Sequence, residues 1–124
     1  MEIISDYDKV LEYIDVKSFA QAYIVFELFK NPDVDYSSVF MYRDVSDGKL
    51  YCGPLWDFDM SVGNVNHKGN VNKNPESLYV SVENPWFKAL LAHDEFRELV
   101  AKELYENEDI IRETIEAELD KAYE

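Results

Sequence analysis

The chain has 124 residues and a formal net charge of −14; 47% of its residues are hydrophobic and 15% aromatic. This composition excludes intrinsic disorder and predicts one domain, or part of one, with enough apolar mass for a core. The charge argues against nucleic-acid binding, which needs Lys and Arg against phosphates, and no apolar run approaches the ~20 residues of a bilayer span.

Two helices are predicted in the first quarter of the chain. Apolar residues at helical spacing indicate a short helix over residues 5–14. Asp15 is placed to cap a second helix over about 16–30, since its carboxylate can accept an orphan backbone N–H. The second helix is apolar nearly all round, which predicts a buried central helix. We expect Glu27 on that helix to form a structural salt bridge or hydrogen bond rather than to act in catalysis.

A β-hairpin is predicted next. Asn31-Pro32 ends the helix because proline cannot continue it. Residues 38–43 and 49–52 have the composition of strands, and Ser46-Asp47-Gly48 between them forms a turn. Cys52, the only cysteine, lies in the second strand and is expected to be a small buried hydrophobe.

The segment GPLWDFDMSVG (53–63) follows the hairpin and carries two carboxylates two residues apart, Asp57 and Asp59. If the segment stays extended, both acids share one face while Trp56, Phe58 and Met60 anchor the other. Two carboxylates this close repel each other unless a cation or proton lies between them, and oxygen ligands suit Mg²⁺ and Ca²⁺. The alternative is a solvated acidic turn after a strand.

The remainder is predicted to be a basic loop followed by helices. Residues 61–75 contain no acid but include His67, Lys68 and Lys73, which indicates a flexible connector or an anion-facing lid. Asn84-Pro85 suits the cap and first position of a helix through residue 91. Two further helices are predicted, one beginning near Asp94 and a last one over about 108–123. They carry twelve acids and four bases from residue 94 onward, as solvated helix faces do.

The spacing of three polar residues points to phosphoryl transfer. Asp33 precedes Ser38 by five residues, and a hairpin then leads to Asp57. In protein kinases the catalytic-loop Asp precedes an Asn metal ligand by five residues, and a later Asp binds Mg²⁺. Asp33, Asp57 and Asp59 are therefore expected to converge at one end of the hairpin.

Six segments carry a family resemblance: SFA (18–20), FELFKNPD (26–33), FMY (40–42), GKL (48–50), GPLWDFD (53–59) and WFKALL (86–91). In this order they resemble the spore coat protein H (CotH) kinase family, from about residue 15 to the end, with WDFD the most specific part. The resemblance implies an atypical protein-kinase-like fold. It also implies ATP and Mg²⁺ or Mn²⁺ as cofactors and a protein substrate, such as a spore coat or surface protein. For the parent protein the resemblance implies a bacterial origin and an exported or spore-associated location, as in many relatives from anaerobic bacteria.

The resemblance also assigns roles by position. Asp33 matches the catalytic Asp, Asp57 matches the metal-binding Asp, and Asp59 is the second acid of that motif. Ser38 stands where many members have Asn, and Asp35 lies close by, so these two are the candidates for a second metal position.

A kinase further needs a phosphate-covering loop and a strand lysine. No glycine-rich loop precedes residue 38, so the resemblance implies that residues 1–124 are the C-terminal portion of the domain, without the nucleotide-binding lobe. We then expect kinase activity in the full-length parent and none in this chain alone, and self-association through an exposed apolar lobe surface.

The predicted fold is α+β: a β-hairpin packed on a buried central helix with a C-terminal helical cluster, as in the C-lobe of a kinase-like fold. The rival function is a non-catalytic binding or structural module, whose acids hold a divalent cation or only cap turns.

Overall fold

The architecture is α+β, with one antiparallel hairpin against helices. The computed structural model describes residues 4–35, 37–64 and 74–123. The elements in chain order are α1 (Tyr7–Tyr13), α2 (Val16–Phe29), a 3₁₀ turn (Pro32–Asp35), β1 (Val39–Arg43), β2 (Leu50–Leu55), α3 (Val80–Glu83), α4 (Pro85–Leu90) and α5 (Asp94–Tyr123). The predicted basic residues His67, Lys68 and Lys73 lie outside the described residues.

Helix α2 is the centre of the fold. Asp15 caps it as predicted, since its side chain accepts a hydrogen bond from Ser18 N at 2.7 Å. The helix ends at Phe29, and Lys30 follows in the left-handed region with φ 51°. Its buried residues cover somewhat more than half of the helix surface, while Lys17, Gln21 and Leu28 are exposed, so the helix is central but not buried all round. The buried residues are Phe19, Ala20, Ala22, Tyr23, Ile24, Phe26 and Glu27.

The hairpin is attached to the beginning of α2. Asp15 N donates to Leu50 O at 2.9 Å, and Cys52 N donates to Ser18 Oγ at 3.1 Å. The same two residues that begin the helix therefore position strand β2. Cys52 is buried, and burial raises the pKa of its thiol to about 12, so the thiol stays protonated as expected of a buried hydrophobe.

A hydrogen bond in the hairpin turn leads us to expect that Tyr51 loses its proton only at strongly alkaline pH. Tyr51 Oη donates to Asp47 Oδ2 at 2.7 Å, and this bond raises the tyrosine pKa to about 12. The unfolded-state pKa is about 10. The hydrogen bond from the neutral Tyr51 hydroxyl therefore stabilises the folded chain fully below about pH 10. This contribution to stability is lost as the pH rises through about 12. An NMR titration of the Tyr51 ring should show this pKa, and Asp47→Asn should lower it; an unchanged titration in that variant would contradict the contact.

Helix α4 delivers the central aromatic ring of the core. Asn84 caps it and Pro85 is its first residue, as predicted, with the Asn84 side chain accepting from two backbone N–H groups. The cap directs Phe87, which is fully buried, into the core. Its ring packs against Phe19, Tyr23 and Phe26 at centroid distances of 6.2, 5.7 and 6.1 Å.

The prediction of two final helices is wrong: α5 is a single helix of 30 residues. No glycine or proline interrupts residues 105–107, and Asn107 Nδ2 donates back to Glu103 O at 2.7 Å. Ion pairs one turn apart continue across the expected break, Lys102 with Glu106 and Glu108 with Arg112. Only the first half of α5 packs on α2, so the expected C-terminal cluster consists of α3, α4 and that half.

The sequence predicts no membrane-spanning segment. Over residues 4–35, 37–64 and 74–123, no helix is both long enough and apolar enough to cross a bilayer.

Candidate functional site

A buried amide connects the two loops that carry Asp33 and Asp57. Asn31 directly follows the left-handed end of α2 and is fully buried. Its Oδ1 accepts from Asp33 N at 3.0 Å, and its Nδ2 donates to Asp57 O at 3.1 Å. Since both atoms belong to one amide, the backbones of residues 33 and 57 lie within about 9 Å of each other.

The Asp33 loop is held from the opposite side by the residues before α4. Asn84 Nδ2 donates to Val34 O at 2.5 Å, and Tyr79 Oη donates to Pro32 O at 3.1 Å. The Asp33 carbonyl also accepts from Ser37 N at 2.9 Å, which closes the turn that leads to the hairpin. Asp33 itself is half-buried. Its position is determined by the hydrogen bonds that fix the residues on both sides of it.

Ser38 and Asp57 meet at the entrance and exit of the hairpin. Ser38 Oγ donates to Asp57 Oδ2 at 2.9 Å. Both residues have left-handed backbones, with φ of 60° and 64°. This conformation costs of order 1 kcal/mol for a residue with a Cβ. The surroundings therefore hold a strained pair in place, with the Asp57 carboxylate exposed.

The expected alternation of acids and aromatics is wrong in this segment. Strand β2 ends at Leu55, and the left-handed Asp57 interrupts the extended backbone that the alternation needs. Phe58 alone packs inward, stacked on Phe26 at 5.6 Å. Trp56 is 55% exposed and rests edge-on against Phe40 outside the core.

The structure brings Ser38 and Asp57 together and connects Asp33 to them, but it does not group all the predicted acids. Asp59 is exposed, and its carbonyl accepts from Asn64 Nδ2 at 2.7 Å. Among the described residues there is no group of three His, Cys, Asp or Glu placed to hold a metal ion. Asp33, Asp57 and Asp59 therefore do not form such a group, and their convergence at one end of the hairpin stays a prediction. The side chain of Asp35 lies outside the described part of the structure.

Glu27 has the structural role that was predicted. Its carboxylate accepts from Lys30 Nζ at 2.5 Å, Tyr79 N at 2.7 Å and Val80 N at 2.9 Å. Lys30 Nζ also donates to Ser77 O. This buried network fastens the end of α2 to the first residues of α3, and thus supports both loops of the candidate site.

Asp33, Ser38 and Asp57 line neither of two cavities found in the described part of the chain. These cavities, of about 610 and 310 Å³, lie along α2 and α5. Asp57 is exposed, so a ligand can reach its carboxylate from solvent.

Asn31 is a site residue that the sequence pattern does not predict. From the sequence, Asn31 is interpreted only as part of the Asn31-Pro32 signal that ends the helix. The available signal was its position two residues before Asp33, since Asn side chains commonly accept from the backbone N–H two residues on. Its contact with Asp57, 26 residues away, has no local signal.

The chain thus combines an α+β fold with a left-handed, exposed Asp57 beside the Ser38 hydroxyl and a fixed Asp33 loop. The family model for the CotH kinase protein matches residues 4–124. The chain therefore belongs to the CotH kinase family, as its sequence suggested. No curated protein and no solved structure matches the chain significantly.

Proposed function

We propose that this chain supplies the catalytic and metal-binding loops of a kinase that transfers phosphate from ATP to a protein hydroxyl. The family membership supports a kinase-like function. The single observation that carries the site is the Asn31 amide, which bonds the loops of Asp33 and Asp57 at 3.0 and 3.1 Å. A kinase needs a proton acceptor and a metal-holding carboxylate at a fixed separation, because phosphoryl transfer depends on positioning and charge neutralisation.

The donor set at Asp57 fits magnesium bound together with phosphates. Mg²⁺ takes oxygen ligands, and it is usually held by one or two carboxylates plus substrate phosphates and water rather than by an all-protein cage. The exposed Asp57 carboxylate and the Ser38 hydroxyl beside it offer such oxygens, with Asp59 two residues later and Asp35 near Ser38 in sequence. When bound, the ion would neutralise phosphate charge.

In this proposal each residue has a limited task. Asp33 orients the substrate hydroxyl and accepts its proton as the hydroxyl oxygen bonds to the γ-phosphorus of ATP; the bond from that phosphorus to the β-phosphate oxygen breaks, and ADP leaves. Asp57 presents its carboxylate in the orientation given by the Ser38 hydrogen bond and the Asn31 contact. We further propose that this chain is the C-terminal part of the kinase domain, and that a longer parent provides the phosphate-covering loop and lysine.

The rival function is a non-catalytic binding module. Among the described residues there is no group of three His, Cys, Asp or Glu that could hold a metal ion without a nucleotide. A module would need neither nucleotide nor metal to fold or to bind its partner.

Binding and transfer can be tested separately. In calorimetry on a chain extended upstream to include the phosphate-covering loop and lysine, Asp57→Asn should weaken Mn²⁺·ATP binding by at least about tenfold, and Asp33→Asn should leave it nearly unchanged. In the same extended chain, both variants should abolish phosphate incorporation into protein. Asp109→Asn, an exposed acid on α5, is the matched control and should change neither readout. Absence of incorporation by the unsubstituted extended chain, together with binding that is insensitive to Asp57→Asn, would support the module instead, and incorporation that survives both changes would show that the transfer site lies elsewhere.

A further inference from the structure

From Leu104 onward, α5 carries an apolar stripe that the described part of the chain does not fully cover. Leu104, Ile111, Ile115 and Leu119 follow one another at helical spacing along about 22 Å of the helix. Leu104, Ile115 and Leu119 are 40%, 39% and 52% exposed. Such a stripe normally faces a core, so this part of the helix has the pattern of a packed helix without the packing.

The stripe forms one side of a groove whose other side belongs to α2. Leu28 of α2, 46% exposed, lines the groove together with Leu104, Ile111 and Ile115. Its volume is about 310 Å³, and Glu108, Arg112 and Glu116 border it. Two helices thus present aliphatic side chains to one elongated depression, a shape that accepts the apolar face of a third helix.

The charge around the groove selects the occupant. Residues 104–123 contain seven acids and two bases, and Arg112 is already paired with Glu108 at 2.6 Å. A helix with lysine or arginine beside its apolar face would complement this surface, whereas an acidic helix would be repelled. A second copy of the chain is a poor occupant, because each copy carries a net charge of −14.

We propose that the groove between Leu28 and the part of α5 from Leu104 onward is a docking site for a basic amphipathic helix of a partner protein. The partner's aliphatic residues lie along Leu104, Ile111 and Ile115, and its basic residues face Glu116 and the net acidic surface of residues 104–123. The proposal is independent of catalysis, since none of these residues belongs to the candidate phosphotransfer site.

The test uses fluorescence anisotropy with a labelled helical peptide of about 16 residues, leucines along one face and lysines on its flanks. We expect saturable binding that weakens as salt is raised. The double variant Ile115→Ser, Leu119→Ser should weaken it at least about tenfold, because apolar contact area is lost. A peptide with glutamate in place of each lysine should bind at least about tenfold more weakly.

Two controls separate a groove from general charge attraction. Ile110→Ser removes an exposed isoleucine of the same helix that does not line the groove, and it should leave the affinity unchanged. A scrambled peptide of identical composition should bind at least about tenfold more weakly, since it has no apolar face. Equal affinities of the designed lysine peptide and the scrambled peptide would overturn the proposal. So would an equal loss of affinity in Ile110→Ser and in the double variant Ile115→Ser, Leu119→Ser. A concentration-dependent dimer that the double variant Ile115→Ser, Leu119→Ser dissociates in light scattering would also overturn it, because a copy of the chain would then cover the face.

Discussion

Replacing Glu27 with alanine is expected to destabilise the folded chain by about 3–5 kcal/mol. The change leaves the Lys30 ammonium, 8% exposed, without its carboxylate. It also removes the acceptor of Tyr79 N and Val80 N, two backbone donors that are buried where α3 begins. Since small domains are stable by about 5–15 kcal/mol in all, urea denaturation should show a large loss of stability or an unfolded chain.

Three further variants identify the cause of that loss. Glu27→Gln keeps an acceptor for the backbone but not the charge, and should cost less than alanine does. The double variant Glu27→Gln, Lys30→Met removes both charges, and should recover part of the stability that Glu27→Gln alone loses. Glu113→Ala, on the exposed face of α5, should change the free energy of unfolding by less than about 0.5 kcal/mol. A loss below about 1 kcal/mol for Glu27→Ala would contradict the network.

Asn31→Ala is expected to cost about 2–4 kcal/mol and to weaken metal binding at Asp57. The loss of stability follows because Asp33 N and Asp57 O each lose a buried partner. The loss of affinity follows because the Asp57 loop is no longer fixed, although Asn31 itself lies behind the site and offers no ligand. Urea denaturation measures the first effect, and Mn²⁺·ATP calorimetry on the extended chain under native conditions measures the second.

A conservative replacement and a matched control sharpen this result. Asn31→Asp keeps the acceptor for Asp33 N but places a carboxylate against the carbonyl of Asp57, so it should disturb the Asp57 loop and spare the Asp33 turn. NMR shifts of Ser38 and Asp57 should change, and those of Val34 should not. Asn64→Ala removes a similar amide contact, from Nδ2 to Asp59 O, at an exposed position and should cost less than about 0.5 kcal/mol. Equal costs at positions 31 and 64 would show that burial and bridging are unimportant.

The importance of Asn31 lies in its place in the fold. The residue follows a left-handed Lys30 whose ammonium is held by Glu27. A continuous series of contacts thus runs from the buried ion pair, through the end of α2, to the two loops of the candidate site. Variants at Glu27 that still fold should for this reason also weaken metal binding, through the position of Asn31.

Local signals were sufficient for most of the elements. The Asp15 cap, the Asn84-Pro85 helix start and the hairpin turn before Gly48 were all read correctly, because each depends on residues at most a few positions apart. The length of α5 was misread because charge and polarity near residue 107 do not stop a helix without glycine or proline.

What the sequence by itself determined was the α+β class, the family, the central helix and the presence of Asp33 and Asp57 on loops. Only the tertiary structure decided that Asp57 turns left-handed toward Ser38, and that Asn31 holds both loops at once. Caps and turns are short-range interactions, so residue types at neighbouring positions specify them. A contact across 26 residues depends on how α2 packs against the end of the hairpin, and no neighbouring residue records that geometry.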